Sequence, residues 1–170
     1  EQLFELAKEN ITNLLKSPRD VGDLLMYVRV KGRPALLETI LNTLPSALKD
    51  KEDCGLVDLL YLLDPEQSPE LLVTSFPRAI QSAKCFYEVF ITLNEAHRKV
   101  LFEAMKEKLP GLIKNGDDAR YVLARLDGQQ FASIFEAIKD QLPKIFKSPD
   151  VVRDLFADEK SAIIIAALQK

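Results

Sequence analysis

The chain has 170 residues, of which 47% are hydrophobic and 29% are charged, and its formal net charge is −3. This composition is typical of one soluble globular domain with a sizeable core. Lysine and arginine are scattered singly, without the basic face that nucleic-acid binding needs, and the longest apolar run (162–168) is far shorter than the roughly 20 residues of a membrane span. We therefore expect neither a nucleic-acid partner nor a membrane span.

Four short segments carry apolar residues at the i, i+3, i+4 and i+7 spacing of one helix face. In chain order they cover 21–28, 56–63, 86–93 and 119–126. A longer segment with helical spacing follows each of them, and no segment alternates apolar and polar residues over any length. We therefore expect only helices, arranged as units of a short helix A and a longer helix B.

A fixed period relates these units. Prolines late in helix B stand at 45, 77, 110 and 143, at spacings of 32, 33 and 33 residues, and the segments 102–115 and 135–148 agree at seven of fourteen positions. Such self-similarity is the signature of a helical repeat array. The predicted fold is an all-α, right-handed solenoid, or superhelix, of antiparallel helix pairs with a repeat of about 33 residues.

We expect residues 1–170 to form a single helical-repeat domain of about four repeats. The chain begins at Glu1 instead of a methionine, shows no signal peptide, and starts and stops partway through a repeat. We therefore expect it to be a fragment of a longer protein.

The late prolines lie within otherwise continuous helical patterns. The apolar positions from Phe131 to Phe146 keep helical phase across Pro143. A proline inside a helix loses the hydrogen bond to the carbonyl four residues earlier and bends the helix. We therefore expect proline-kinked second helices, in which water satisfies the freed carbonyl of Lys139.

Polar residues at the junctions indicate where helices begin. Asp64, Asn94 and Asp127 precede the B helices as N-caps, and Gln67 completes a capping box with Asp64. At the other junctions a lysine stands at the end of one helix and an acidic residue opens the next, which complements the helix dipoles.

The period and the late proline are typical of tetratricopeptide repeats, but bulky or charged residues fill the small-residue positions of that family. The ankyrin TPLH sequence is absent. The pattern FEA-K--LP-LIKN-DD---VL--L instead resembles the helical repeats of secreted effector proteins from Legionella and related intracellular bacteria, most strongly over 94–156. The resemblance implies a virulence protein delivered by type IV secretion into the host cytoplasm, and it carries no catalytic motif.

Few residues suggest chemistry. His97 is the only histidine, and glutamines occupy its position in the other repeats. Cys54 and Cys85 are too few for a disulfide framework or a zinc site, so we expect both to be reduced and structural. No P-loop, GxGxxG, GxSxG or HExxH sequence is present. We expect no enzyme activity, cofactor, metal site or small-molecule substrate.

Carboxylates recur at one position of the A helices, off the apolar stripe: Asp23, Asp58, Glu88 and Asp154, with Tyr121 at that position in the remaining repeat. Stacked repeats would present these carboxylates as an acidic strip for a basic partner segment. Alternatively, they complement the helix dipoles or pair with an arginine of a neighbouring repeat.

Two nearby positions of the A helices vary among the repeats. One holds Met26, Tyr61, Ile91 and Ala124, and the other holds Tyr27, Leu62, Thr92 and Arg125. Variable residues on a repeated frame are typical of recognition surfaces, and exposed aromatic and arginine side chains anchor interfaces. The alternative is core between repeats, which we expect for Leu62 and Ile91. The candidate partner-binding residues are Asp23, Asp58, Glu88, Asp154, Tyr27, Tyr61, Tyr121 and Arg125.

These features predict a protein–protein interaction module of a bacterial effector that binds a host protein and has no catalysis of its own. The alternative is a rigid spacer or targeting arm for a catalytic or membrane-binding domain outside this fragment.

Overall fold

A computed structural model describes residues 15, 18–27, 32–43, 56–63, 69–156 and 158–169, and throughout these ranges the chain forms helices joined by short connections, without a strand. The prediction of an all-α protein is confirmed for this part. None of the helices described there is both long and apolar enough to cross a membrane. The chain forms two compact units, of which the first takes the described residues up to Gln81 together with Glu88–Ala104, and the second takes Ser82–Tyr87 and the residues from Met105 onward.

The first unit is built from A and B helices of the first two predicted repeats and from parts of the third. Its helices are α1 (Pro18–Met26), α2 (Arg33–Thr43), α3 (Leu56–Leu63), α4 (Leu71–Ala79), the second half of α5 (Ala83–Thr92) and most of α6 (Glu95–Met105). The A helices α1 and α3 pack on one another, and so do the B helices α2 and α4. Corresponding helices of the two predicted repeats are therefore neighbours in this unit.

The second unit also packs A helices on one another, and several of its helices are shorter. It contains the first half of α5, α7 (Leu109–Leu112), α8 (Gly116–Leu123), α9 (Gly128–Ile138), a 3₁₀ helix (Lys139–Gln141), α10 (Leu142–Ile145), α11 (Pro149–Leu155) and α12 (Asp158–Leu168). The A helices α8 and α11 pack together, and α12 packs on α10 and α11. Helices α8 and α11 lie close together: a Cβ atom added at Gly116 would be 3.0 Å from Cδ1 of Leu155.

The apolar stripes predicted from the sequence form the cores of these units. In the A helices, the described stripe residues are buried except Leu24, which is half-buried; the buried ones are Val21, Leu25, Leu56, Leu59, Leu60, Phe86, Val89, Phe90, Leu93, Ala119, Val122, Leu123 and Leu126. The described α-helices are only four to eleven residues long. Since isolated helices of this length are marginal in water, burial of the stripes supplies their stability, at roughly 1.5–3 kcal/mol for each large side chain.

Polar side chains cap the helix N-termini at the predicted places. The side-chain oxygen of Asn94 accepts a hydrogen bond from the backbone N–H of His97 at 2.9 Å. Asp127 forms a full capping box with Gln130 at the start of α9. Asn115 and Ser148, which were not among the predicted N-caps, also cap α8 and α11, because their side chains accept hydrogen bonds from the N–H groups of Asp118 and Val151. The predicted capping box of Asp64 lies outside the described residues.

The late prolines occupy two kinds of local structure. Pro77 lies inside α4, within one helix. Pro110 and Pro143 are each the second residue of a four-residue helix, and the α-helix is interrupted just before them by a turn at 106–108 and by the 3₁₀ helix, respectively. A single kinked helix is therefore the wrong prediction at these two prolines, where helix B is divided. Pro45 lies outside the described residues.

The 3₁₀ helix explains how the chain accommodates Pro143. Proline has no N–H to donate to the carbonyl of Lys139, and the tighter 3₁₀ turn lets the N–H of Leu142 donate to that carbonyl instead. A backbone donor therefore takes the place that we had predicted for water. The first N–H groups of a helix have no carbonyl partner within that helix. Pro143, near the beginning of α10, therefore costs no hydrogen bond of α10 although it lacks an N–H.

We predict that Asp127→Ala lowers the free energy of unfolding by about 0.5–2 kcal/mol, the usual cost of losing an N-cap. Asp127 accepts hydrogen bonds from the N–H groups of Gln129 and Gln130 at 3.0 and 2.9 Å, and the variant leaves both without that acceptor. Urea unfolding followed by circular dichroism measures the change.

Asp140→Ala is the matched control for Asp127→Ala, because Asp140 is exposed and lies in the 3₁₀ helix instead of at a cap. Equal stability of the two variants would contradict a structural role for the capping box.

Candidate functional site

A cleft of about 540 Å³ lies within the second unit. Ligand-binding pockets in proteins commonly measure about 300–1,000 Å³, so this cleft is large enough for several side chains. Its lining comes from α5, from α8 and the residues just after it, from α11 and from α12: Tyr87, Arg120, Tyr121, Ala124, Arg125, Leu155, Glu159 and Lys160.

Helix α8 supplies the centre of the lining because of its amphipathic sequence. Its N-terminus is fixed by Asn115, whose side-chain oxygen accepts from the N–H of Asp118 at 2.9 Å. The helix buries Ala119, Val122 and Leu123. At 3.6 residues per turn, burial of this stripe turns the residues at 120, 121, 124 and 125 toward the opposite side, where they line the cleft.

Two tyrosines and an arginine form an aromatic cluster in the cleft. The rings of Tyr87 and Tyr121 are 5.5 Å apart between centroids and inclined at 51°. The guanidinium carbon of Arg125 lies 6.0 Å from the centroid of the Tyr87 ring, within range of a cation–π interaction. These two contacts orient the three side chains, because each contact restricts the rotamers of the two residues that it joins.

Lys160 closes one side of the cleft and has a structural role. Its Nζ donates hydrogen bonds to the carbonyl oxygens of Leu123, Ala124 and Leu126, each at 3.0 Å, and it lies 5.5 Å from the centroid of the Phe131 ring. Burial, and secondarily the charge of Arg125, lower the pKa of Lys160. Because all three ammonium donors are engaged, Lys160 serves as the cap of the C-terminal end of α8.

Cationic caps of this kind occur in the first unit as well. Arg98 donates from Nε to the carbonyl of Phe90 at 2.9 Å and from Nη2 to that of Ile91 at 2.8 Å, at the end of α5. Arg33 joins two helices, because it donates to the carbonyl of Leu25 at the end of α1 at 3.0 Å and to that of Leu62 at the end of α3 at 2.8 Å. One guanidinium therefore holds the C-terminal ends of two successive A helices side by side.

The remaining cations of the cleft are available to a ligand. Arg120 and Arg125 are exposed, and within the described part of the chain neither forms a salt bridge or a hydrogen bond through its side chain. Among the lining residues that the structure describes, Glu159 is the one carboxylate, against three cations. The cleft is thus locally positive on a chain whose net charge is −3.

The candidate residues from the sequence fall into two groups. Tyr121 and Arg125 meet in the cleft of the second unit, and Asp154 is exposed in α11 of the same unit. In the first unit, Tyr27 is 89% exposed and Tyr61 is 73% exposed. The acidic positions of that unit are Asp23 and Asp58, both exposed, and Glu88, which is half-buried.

Leu62 and Ile91 were both predicted to lie in the core between repeats, and they differ. Leu62 is half-buried and faces α1, where a Cβ added at Gly22 would lie 3.5 Å from its Cδ1. Ile91 is 41% exposed, so the prediction is wrong for it. The reason is that Phe90 and Leu93 take the buried positions at the end of α5, and Ile91 projects from the other side.

Sequence reasoning missed Tyr87, Arg120 and Lys160. In the repeat alignment Tyr87 and Arg120 share the position just before the acidic one, which also holds Gly22, Val57 and Arg153. Two other variable positions of helix A are candidates for recognition because their residues differ among the repeats. The variability of this position could have identified Tyr87 and Arg120 on the same ground. Lys160 gave no such signal, since its partners lie 34 to 37 residues earlier in the chain.

The other residues considered for chemistry do not assemble a site in the described structure. Cys85 is buried, with 2% exposure, as expected of a structural cysteine, and Cys54 lies outside the described residues. Within the described ranges, no three His, Cys, Asp or Glu side chains are grouped so that they would hold a metal ion. Comparisons of the chain with known protein families, with curated proteins and with solved structures find no match.

We predict that Lys160→Met lowers the free energy of unfolding by about 1–3 kcal/mol, because three carbonyls at the end of α8 lose a charged donor while the aliphatic stem is kept. Urea unfolding measures the effect. Lys144→Met is the matched control, because Lys144 is exposed and outside the cleft. A Lys160→Met variant as stable as this control would contradict the capping role.

Proposed function

We propose that this chain is a protein–protein interaction module without catalysis of its own, built as a right-handed solenoid of antiparallel helix pairs. Support for the solenoid comes from the packing within each unit, where α1 lies on α3, α2 on α4 and α8 on α11. Stacking of equivalent helices is the arrangement from which solenoids are made.

The observation that carries the interaction function is the exposure of three large side chains of the first unit, Met26, Tyr27 and Tyr61, which we together call the apolar patch. The exposed fractions of these side chains are 57%, 89% and 73%. Because Arg33 binds the carbonyls at the ends of both α1 and α3, the three side chains lie at neighbouring helix ends. Clustered tyrosines are typical anchors of protein interfaces, since they bury a large apolar area at little entropic cost.

Carboxylates border this apolar patch. Asp23 stands three residues before Met26 and Asp58 three residues before Tyr61, which places each pair on the same side of its helix. Both carboxylates are exposed, and in the described structure neither forms a salt bridge. An apolar centre with an acidic rim fits a partner segment that presents an apolar side chain flanked by basic residues.

For the biological setting, we propose that the partner is a host protein and that the parent protein is an effector delivered into the host cytoplasm by type IV secretion. The support is the sequence resemblance to effector repeats over 94–156. The alternative is a spacer or targeting arm for a domain outside this chain. A spacer would have no need of clustered exposed tyrosines, so the patch favours the interaction module.

We predict that a specific protein captured by the immobilised chain from host-cell lysate is lost on the double substitution Tyr27→Ser/Tyr61→Ser. Two interface tyrosines contribute enough for a loss of affinity of about tenfold or more. Charge reversal of the rim with Asp23→Lys/Asp58→Lys should weaken capture too, and more strongly at low salt. Quantitative mass spectrometry of the captured proteins, followed by titration of the purified partner, provides the measurement.

Two control variants of the first unit accompany this experiment. Val73→Ser removes an exposed apolar side chain of α4, and Glu38→Lys/Glu70→Lys reverses two exposed charges away from the patch. Binding equal to wild type in these controls, together with loss in the patch variants, supports the interaction module. Capture of no specific partner by the wild-type chain would instead favour the spacer.

A further inference from the structure

We propose that the cleft of the second unit binds an acidic segment of a protein partner, with Arg120 and Arg125 as the carboxylate-binding residues and the Tyr87–Tyr121 pair as the surface for the adjoining side chain. This inference rests on the proposed interaction function and adds to it a second site, whose charge is opposite to that of the acidic-rimmed patch of the first unit.

The charges of the cleft select an anion. Lys160 is occupied by three backbone carbonyls, so the cations that face a ligand are Arg120 and Arg125. Both belong to the C-terminal half of α8 and its end, and neither forms a salt bridge within the described ranges, even though Glu159 lines the same cleft. A guanidinium binds a carboxylate through two parallel hydrogen bonds, which a lysine cannot do.

The apolar part of the lining favours a peptide over a small anion. Leu155, Ala124 and the two tyrosine rings form a surface against which an aliphatic or aromatic side chain can pack. The rings contact each other at a centroid distance of 5.5 Å, which leaves no space for a third ring between them, as a nucleobase held between two tyrosines would require. A peptide with a carboxylate next to an apolar side chain matches both the arginines and the apolar surface of the cleft.

The cleft is preorganised for such a ligand. The N-terminus of α8 is held by Asn115 and by the close approach of Gly116 to Leu155, and its C-terminal end is held by Lys160. Arg125 is already oriented by the ring of Tyr87. Side chains fixed before binding lose little entropy on binding, which favours affinity in a small site.

The test uses the full chain and a phage-displayed library of short random-sequence peptides. We expect the selected peptides to be enriched in glutamate or aspartate next to an apolar residue, relative to the unselected library. For a selected peptide labelled with fluorescein, anisotropy should show that Arg120→Glu/Arg125→Glu raises the Kd by about tenfold or more, and that Arg120→Lys/Arg125→Lys raises it less.

Lys144→Glu/Lys147→Glu is the matched control, because it makes the same change of charge in the same unit at exposed lysines outside the cleft. Its Kd should equal that of the wild type. Circular dichroism melting checks that each variant is folded, and the lysine variant keeps the test interpretable if the glutamate variant unfolds.

Two results would overturn the proposal: absence of an enriched class of acidic peptides, or equal affinity of such a peptide for the cleft variants and the control variant. Displacement of the peptide by inorganic phosphate or ATP, at a concentration lower than the Kd of the peptide, would also overturn the proposal. That result would assign the cleft to a small anion. If these results appear while Tyr27→Ser/Tyr61→Ser still abolishes partner capture, the interaction function stands and only this second site is lost.

Discussion

Short helices leave many backbone groups unpaired, and the architecture of this chain depends on how those groups are satisfied. Each helix end exposes up to four N–H or C=O groups, and the described helices are only four to eleven residues long. Side chains of Asn94, Asn115, Asp127 and Ser148 cap the N-terminal ends locally. The C-terminal ends of four A helices receive donors from cations on other helices: Arg33 of α2 binds the ends of α1 and α3, Arg98 of α6 binds that of α5, and Lys160 of α12 binds that of α8. This second kind of cap links one helix to another, so it determines tertiary structure as well as helix length.

The cationic caps also explain where the candidate binding residues lie. At the end of α8 the cap comes from Lys160, and the residues that line the cleft there, Tyr121, Ala124 and Arg125, surround a helix end that is held in place. At the ends of α1 and α3, Arg33 binds both sets of carbonyls, and Met26, Tyr27 and Tyr61 remain exposed around it. The aromatic side chains, exposed in the first unit and half-buried in the second, therefore stand next to helix ends whose carbonyls are hydrogen-bonded, an arrangement that suits recognition.

A repeated frame allows the chemistry of these surfaces to differ between units. The acidic position of helix A holds Asp23, Asp58 and Glu88 in the first unit, and both Tyr121 and Asp154 in the second. The variable positions include Tyr27 and Tyr61 in the first unit and Arg125 in the second. The stripe residues that build the core keep their apolar character in every unit. The first unit therefore offers an apolar patch with an acidic rim, and the second offers an aromatic cleft with arginines.

The sequence by itself determined the helices, their apolar stripes and the N-caps at Asn94 and Asp127, because these features depend on residues within about one or two turns of each other. It also placed Tyr27, Tyr61 and Arg125 at variable positions that are exposed. The sequence patterns did not predict the 3₁₀ helix before Pro143, in which the N–H of Leu142 donates to the carbonyl of Lys139. Tertiary structure placed Ile91 at the surface, as it did Met26 and Tyr61 at the same repeat position. It also brought Tyr87 to Tyr121 and Lys160 to the carbonyls at the end of α8. Those contacts join residues 34 to 37 positions apart in the chain, and no local pattern specifies them because they form only when whole helices pack.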